Sequence, residues 1–277
     1  MGENFSELKT VIVCSLNDHA GTNIRERLLE RFQFEETMDA FDGSPIYKSS
    51  GDIFLVSSKK DIIFVDGLDE EFENVRFIFI SKHRAESGIP SLTAHFTGNF
   101  GQATFGGNPN EIALFSPSLM KNYLASLAAN RSRINQTYGI TLEATHHGPT
   151  ALKSSVLFVE LGSTESHWVD VETAGIISES LMDALDRETR YEKCAIGIGG
   201  THYPQKLTNL VTDSEYALGP IIPKYALEFL NHDIVDQMLN KSDQEIKIAL
   251  IDQKGLGKFK DRVNQVLGEF NLEKILI

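Results

Sequence analysis

The sequence predicts an α/β fold, a three-layer sandwich around a mainly parallel mixed sheet. Two observations predict it. Short apolar runs recur along the chain, each closed by a polar or glycine-rich cluster, and they are continuous rather than alternating, as in strands covered on both faces. Segments of helical periodicity lie between the runs, and strand alternating with helix is the pattern of a parallel sheet with helices on its faces.

In chain order, TVIVCS (10–15) is the first strand and ends in LNDHAGTN. NIRERLLERF (23–32) is a helix with Ile24, Leu28 and Leu29 as its apolar face. DIIFV (61–65) and VRFIFI (75–80) read as strands that end in DGLDEE and SKHRAESG. Residues 116–134 read as a long helix, with Ser116 as N-cap and Pro117 at the first helical position. SSVLFVEL (154–161), KCAIGIGG (193–200) and IKIALID (246–252) are further strands, and 172–187, 223–242 and 254–270 are helical. The stretch 81–115 is rich in Gly, Ser, Thr and Asn and reads as a long, loop-like functional insertion in one domain spanning 1–277.

The totals set bounds. With 277 residues, 41% hydrophobic and 23% charged, the chain can bury a sizeable core. No apolar run reaches the roughly 18 residues a membrane span needs, and MGENFSELKT lacks the pattern of a secretory signal. MGENFS matches the loose myristoylation pattern, but the core strand starting near Val11 speaks against an anchor. Cys14 and Cys194 sit in apolar runs and read as buried small hydrophobes in a reducing compartment, the cytoplasm. A net charge of −13 argues against a general nucleic-acid coat and against DNA binding, while leaving room for a local basic site.

Ligands of such sheets bind beyond the C-terminal strand ends, and the unusual residues cluster there. In GITLEATHHGPT (139–150), Ile140, Leu142 and Ala144 alternate with Thr141, Glu143 and Thr145. A strand would put Glu143, Thr145 and His147 on one face and His146 on the other, until Gly148-Pro149 stops it. With the strand stopped there, its last two imidazoles project toward a cleft, where they suit general-base work or zinc ligation; two solvated loop histidines are the plainer alternative. Glu160, near the end of a buried run, must be paired or protonated, and can orient a histidine, bind an amino group or ligate a metal. His167 and Trp168 stand where they can cover a cleft. AIGIGGTHYP offers Gly199 and Gly200 for close backbone approach, with His202 and Tyr203 behind. Lys82, His83 and Arg84 form a basic triplet, followed by His95 and Asn99; Lys121, Arg131 and Arg133 on the long helix can extend the patch. The nucleophile elbow G-x-S-x-G, the P-loop and C-x-x-C pairs are absent, which leaves hydrolysis or group transfer by His and Glu, with or without a metal.

SKHRAESGIPSLTAHFTGN, LEATHHGPT, VELGSTESHW and IGIGGTHYP, in this order and spacing, resemble the archaeal and plant-type D-aminoacyl-tRNA deacylases. The resemblance is close over roughly 75–225 and implies a phosphorylase/peptidyl-tRNA hydrolase-like fold, zinc, and the 3′ acceptor end of aminoacyl-tRNA as partner of a monomeric enzyme. It implies site roles for Lys82, His83, Arg84, His95, Asn99, Glu143, His146, His147, Glu160, His202 and Tyr203. On this reading His147 or a zinc-bound hydroxide activates water, and the metal ligands are His146, His147 and His202, with His146 and His202 as proton carriers in the alternative. Glu143 orients an imidazole, Glu160 holds the substrate ammonium, amides of Gly199 and Gly200 serve the oxyanion or the terminal adenosine, and Lys82 and Arg84 hold phosphates. Steric exclusion of the L side chain would give the D preference. One departure is Gly219-Pro220, where the family pattern carries Gly-His. The competing readings are a nucleoside phosphorylase-like enzyme, a metal-dependent amidohydrolase, and a non-catalytic tRNA- or nucleotide-binding protein.

Overall fold

The computed structural model describes residues 8–49, 51–65, 67–187 and 189–277; MGENFS lies outside them. Its strands are β1 (Lys9–Ser15), β2 (Phe34–Phe41), β3 (Ser44–Ser49), β4 (Ile53–Ser58), β5 (Val75–Arg84), β6 (Ser91–His95), β7 (Gly98–Asn99), β8 (Glu111–Ile112), β9 (Gly139–Leu142), β10 (Val156–Ser163), β11 (Lys193–Ile198), β12 (Tyr216–Ile222), β13 (Ile248–Ile251) and β14 (Glu273–Leu276). Its helices are α1 (His19–Arg31), α2 (Leu68–Glu71), α3 (Pro117–Ala129), α4 (Glu165–Trp168), α5 (Val171–Arg187), α6 (Gln205–Asp213), α7 (His232–Asn240) and α8 (Lys260–Leu267).

The α/β class and the mixed, mainly parallel pairing are as expected, but the strands divide between two main sheets rather than one. An eight-stranded sheet runs β2-β3-β4-β1-β5-β10-β6-β9, and a four-stranded sheet runs β12-β11-β13-β14 with every pair parallel. Helix α3 packs on α5 and on β12 and β11, so the helical layer of the first sheet also contacts the second. One continuous core joins Ile12, Leu28 and Ile78 to Leu127, Ile196 and Ile248.

Strand alternation explains where chemistry can sit. Along β5, Ile78 and Ile80 enter that core, while Phe77 and Phe79 face a second, smaller one with Phe158 of β10. Two residues further on, the second face turns polar: Ser81 and His83 continue β5, and Glu160 continues β10 opposite Ser81. Thr93 and His95 of β6 lie across from Glu160 and Phe158. One sheet face therefore changes from phenylalanine to carboxylate and imidazole within a few residues.

Three expectations need correction. DIIFV is not a strand: Ile62–Phe64 forms a 3-10 turn, burying Ile62 and Val65 and exposing Phe64. A run of five apolar residues does not distinguish a strand from a buried turn. The helix expected over 223–242 is broken into a 3-10 turn (Lys224–Phe229) and α7, because the Asn231 side chain accepts from Ile234 N at 2.9 Å and caps a new start. The segment 81–115 is not a loop throughout, since β6 lies inside the sheet between β10 and β9. Ser116 and Pro117 do start α3, the side chain accepting from Leu119 N.

Asp18 ties helix to strand. Its Oδ1 accepts from Gly21 N at 2.8 Å, capping α1, and its Oδ2 accepts from Lys82 N at 3.0 Å, steadying the strand end that carries His83. Asp18→Ala should cost about 2–3 kcal/mol in urea denaturation, more than the ~1 kcal/mol of a lone cap, because the Lys82 N–H also loses its acceptor. A loss no greater than that of a lone cap would remove the link between helix and strand end.

Candidate active site

The site lies where the first sheet meets the second. Strand β9 ends at Leu142, and the chain then crosses over: Glu143 N still bonds Ala94 O, Ala144 N bonds His202 O at 2.8 Å, and Thr145 N bonds Ile221 O at 3.0 Å. His146 bridges to Thr97, and His147 adopts φ 44. That left-handed residue turns the chain, so both imidazoles enter one cluster rather than alternating as they would along a continued strand. Their ring centroids are 4.4 Å apart, and His146 lies 4.3 Å from His95 and 4.7 Å from His202.

Two buried carboxylates form the floor. Glu160 accepts from Ser81 Oγ at 2.7 Å and Thr93 Oγ1 at 3.3 Å, and lies 3.4 Å from His83 Nδ1 and 3.7 Å from His95 Nε2. Glu143 meets His83 Nδ1 at 3.0 Å, His202 Nε2 at 2.8 Å and His146 Nε2 at 3.9 Å. His83 Nε2 faces the Tyr203 hydroxyl at 3.1 Å, and His202 Nδ1 faces that of Tyr225 at 3.0 Å. His83 and His95 are buried; His146, His147 and His202 are half-buried and form the accessible side.

The hydrogen bonds fix the tautomers. His95 Nδ1 faces Phe96 O (3.1 Å), His146 Nδ1 faces Ala144 O (2.8 Å), and His147 Nδ1 faces Gly148 O (2.6 Å). A carbonyl only accepts, so each Nδ1 carries the hydrogen, and the neutral form of each ring has its lone pair on Nε2. The three residues each offer a ring nitrogen within 4.8 Å of the others, and His95 Nε2 is buried without a hydrogen-bond partner. Three such donors, each ring held from behind by a carbonyl, fit a metal ion. Glu143, His146 and His202 form another such group, and His83, Glu143 and Glu160 a third.

Electrostatics sorts these histidines. Burial opposes charge on His83, but Glu143 and Glu160 outweigh it and raise its pKa to about 10. Burial would raise Glu160, yet the nearby imidazoles of His83 and His95 bring it down to about 2, and Glu143 is likewise held well below the usual carboxylate range. Burial, followed by the charge of His95, lowers His147 to about 4 and holds His146 well below its ordinary value. Burial also works against a proton on His95, but Glu160 prevails and raises it, so a metal at Nε2 would have to displace that proton.

Glu143, His146, His147, Glu160, His202, His83, His95 and Tyr203 thus come together, and other expected residues do not. Glu160 has partners on both oxygens and 5% exposure, so the expected contact with a substrate ammonium is not built. Asn99 is a loop staple, its amide donating to Gly106 O and Asn108 O. Gly199 N–H is spent on Ile222 O, which removes it as an oxyanion donor, and Gly200 at φ 84 carries the turn that accepts from Lys224 N. Lys82 lies over the Trp168 ring and Arg84 is exposed at the strand end. Lys121 is buried and bonds the carbonyls of Val211 and Ser214, while Arg133 pairs with Glu179, so neither extends a basic patch. His167 accepts from the backbone of Ser163 and Thr164, and Trp168 Nε1 bonds His83 O at 2.9 Å; both support the site from behind. Pro220, at the departure from the family pattern, sits where β12 slips register against β11, a place that needs no donor. Sequence reasoning missed Ser81, Thr93 and Tyr225.

A family model described as D-aminoacyl-tRNA deacylase matches residues 70–275. The D-aminoacyl-tRNA deacylase of Pyrococcus furiosus is 35% identical over 96% of this chain and 98% of its own. That of Methanosarcina mazei is 34% identical over 98% and 93%. A crystal structure of a conserved protein of unknown function superposes with a TM-score of 0.90 at 31% identity, covering 98% of this chain and 96% of that one.

The opposed shifts give a stability profile. Folded His83 keeps its proton up to about pH 10, against an ordinary 6.5, so its contribution is whole below 6.5 and is lost as pH rises through 10. Folded Glu160 stays ionised down to about 2, against 4.5, so its contribution is whole above 4.5 and is lost as pH falls toward 2. Urea midpoints should therefore decline from neutral toward alkaline pH, and the decline should be shallower in Glu160→Gln. Identical alkaline profiles for the two proteins would detach His83 from Glu160.

Proposed function

We propose, for a chain that belongs to the D-aminoacyl-tRNA deacylase family, hydrolysis of the ester joining a D-amino acid to the 3′ end of tRNA, with release of the amino acid and free tRNA. The enzyme acts as a cytoplasmic monomer on the acceptor end. Among the described residues no helix is long and apolar enough to cross a membrane. The observation that carries the mechanism is the His202–Glu143 pair at 2.8 Å, half-open to solvent beside three imidazoles with free Nε2 atoms.

An aminoacyl ester is already activated, so a positioned water and charge stabilisation suffice. Glu143 holds His202 by its Nε2–H, which leaves Nδ1 as the acceptor; the Tyr225 hydroxyl occupies it at 3.0 Å and must give up that place to the attacking water. Nδ1 takes a proton from water as the water oxygen attacks the ester carbonyl carbon. The ribose oxygen leaves and recovers that proton from the imidazolium, which the ionised Glu143 stabilises. His95, His146 and His147 would hold a zinc ion, a three-imidazole set with a carboxylate behind it; His95 takes the place the sequence reading gave to His202, whose Nε2 is bonded to Glu143. Zinc supplies Lewis-acid polarisation of the carbonyl when bound. His83, protonated between the two carboxylates, keeps the floor from carrying two uncompensated charges. Lys82 and Arg84, at the end of β5, contact tRNA phosphates.

D-tyrosyl-tRNA should release D-tyrosine, L-tyrosyl-tRNA beside it should stay intact, and a chelator should stop the reaction until zinc is restored. His202→Ala should lower kcat by roughly 10²–10⁴-fold, the usual contribution of general acid–base catalysis. His147→Ala should lose both zinc and turnover while keeping its circular dichroism. Cleavage of both enantiomers at equal rates, or full activity in His202→Ala, would overturn the assignment.

A further inference from the structure

The second sheet brings its own crevice to the site. In the order β12-β11-β13-β14, the chain leaves β11 on one side for β12 and returns to the other for β13. Loops at the carboxyl ends of β11 and β13 therefore diverge, the usual place for a ligand in an open parallel sheet. These loops are Gly199-Gly200-Thr201 and Asp252–Gly257, and glycines let them pack closely: a Cβ on Gly255 would fall 2.4 Å from Gly200 N. Lys224 N bonds Gly200 O, and a Cβ on Gly257 would meet Lys224 Cε at 2.8 Å, so the 3-10 turn Lys224–Phe229 belongs to the same rim.

That rim is aromatic and carries more lysines than acids, Glu228 being its exposed carboxylate, on a chain of net charge −13. Lys224, Lys254 and Lys258 are exposed, and among the described residues none has an anionic partner. Asp252 does not neutralise them, since Lys206 Nζ (2.8 Å) and Gly255 N–H (3.2 Å) take its Oδ1. Tyr225 and Phe229 expose 56% and 42% of their surface, large values for aromatics. Tyr225 reaches His202, and Phe229 lies flat on Gly101, where a Cβ would stand 3.0 Å from the ring. Aromatic faces interleaved with unpaired lysines are what single-stranded nucleic acid binds: bases stack and phosphates pair with ammonium groups.

Resting on the deacylase reading, we infer that this rim seats the unpaired 3′ nucleotides of the acceptor end, with bases on Tyr225 and Phe229 and internucleotide phosphates on Lys224, Lys254 and Lys258. The location follows from continuity. The scissile ester must lie at His202, so the terminal nucleosides must lie within a few ångströms of Tyr225, on the side of the second sheet. The Lys82–Arg84 end of β5 then serves phosphates further up the acceptor stem.

The test uses an RNA hairpin with the acceptor stem and its unpaired 3′ end, followed by fluorescence anisotropy between 50 and 200 mM salt. Phe229→Ala should weaken binding about tenfold and Phe229→Trp should restore it, as expected for stacking. Lys254→Ala/Lys258→Ala should flatten the slope of log affinity against log salt by about 1.4, roughly 0.7 for each single-strand phosphate no longer neutralised. The same double variant should lose about fivefold more kcat/KM on D-tyrosyl-tRNA than on D-tyrosyl-adenosine, which has no internucleotide phosphate. Unchanged affinity and salt slope in all these variants, with wild-type deacylation intact, would overturn the inference and leave the function standing. A rim-dependent hairpin affinity without deacylation by the wild type would do the reverse.

Discussion

Two carboxylates with almost no access to water set the terms for the rest of this structure. An uncompensated carboxylate at the burial of Glu143 or Glu160 would not stay ionised, and removing one partner of a buried pair costs about 3–5 kcal/mol. The chain answers with hydroxyls from both neighbouring strands, Ser81 and Thr93, and with a protonated His83 shared between the two acids. The compensation needs β5, β10, β6 and the extension of β9 in fixed register, so the register of the sheet and the charge balance of the site are one constraint. Glu143 adds a further requirement. Its bond to His202 reaches a residue from the other sheet, and the adjacent bonds Ala144 N–His202 O and Thr145 N–Ile221 O close the same seam. Chemistry at the seam thus depends on how the two sheets meet, not on either alone.

What the sequence displayed and what it hid follow from range. Core strands were legible because continuous apolar runs are local signals, and α3 because Ser116-Pro117 is a local start. The paired histidines were legible as imidazoles projecting from a strand exit, but not the left-handed residue at His147 that brings both into one cluster. Partnerships were hidden because they span long separations, such as Ser81 with Glu160 or Glu143 with His202. His95 is instructive. In SLTAHF the residues Ser91, Thr93 and His95 alternate with Leu92, Ala94 and Phe96, a period of two that marks β6 and places Thr93 and His95 together. The richness of the surrounding segment in glycine and threonine masked it. The β2–β3 hairpin was hidden for another reason. Its strands are polar and largely exposed, so only the Asp42-Gly43 turn, with both φ positive, carried the signal.

The family assignment and the geometry do different work. Matches over nearly the whole chain fix what kind of molecule this is, while they say nothing of which atom moves a proton. The geometry reverses several roles that a motif alone suggests. Glu160 looks like a substrate anchor in VELGSTESHW, but its oxygens are occupied by Ser81, Thr93 and the two inner histidines. Gly199 looks like an oxyanion donor, but its N–H holds Ile222. A residue type at a strand exit locates a site, and only its remaining valences assign a role.

Those valences divide the histidines by the acceptor each one meets. An imidazole whose Nδ1–H meets a backbone carbonyl gains orientation but little charge stabilisation, because a neutral dipole does not hold an imidazolium in a buried place. His146 and His147 are of this kind, and both are pushed well toward neutrality. An imidazole that meets a buried carboxylate gains full Coulombic support and keeps its proton, as His83 does. His95 has both, a carbonyl on Nδ1 and Glu160 near Nε2, so it combines a fixed tautomer with an unusually basic lone pair. Imidazoles of different basicity, His95 beside His146 and His147, therefore stand within 5 Å of each other. The separation comes from backbone carbonyls on one side and carboxylates on the other, and it holds only while both carboxylates stay buried. The same burial that makes Glu143 and Glu160 costly is what lets one small cluster offer a cation its lone pairs and a water its base.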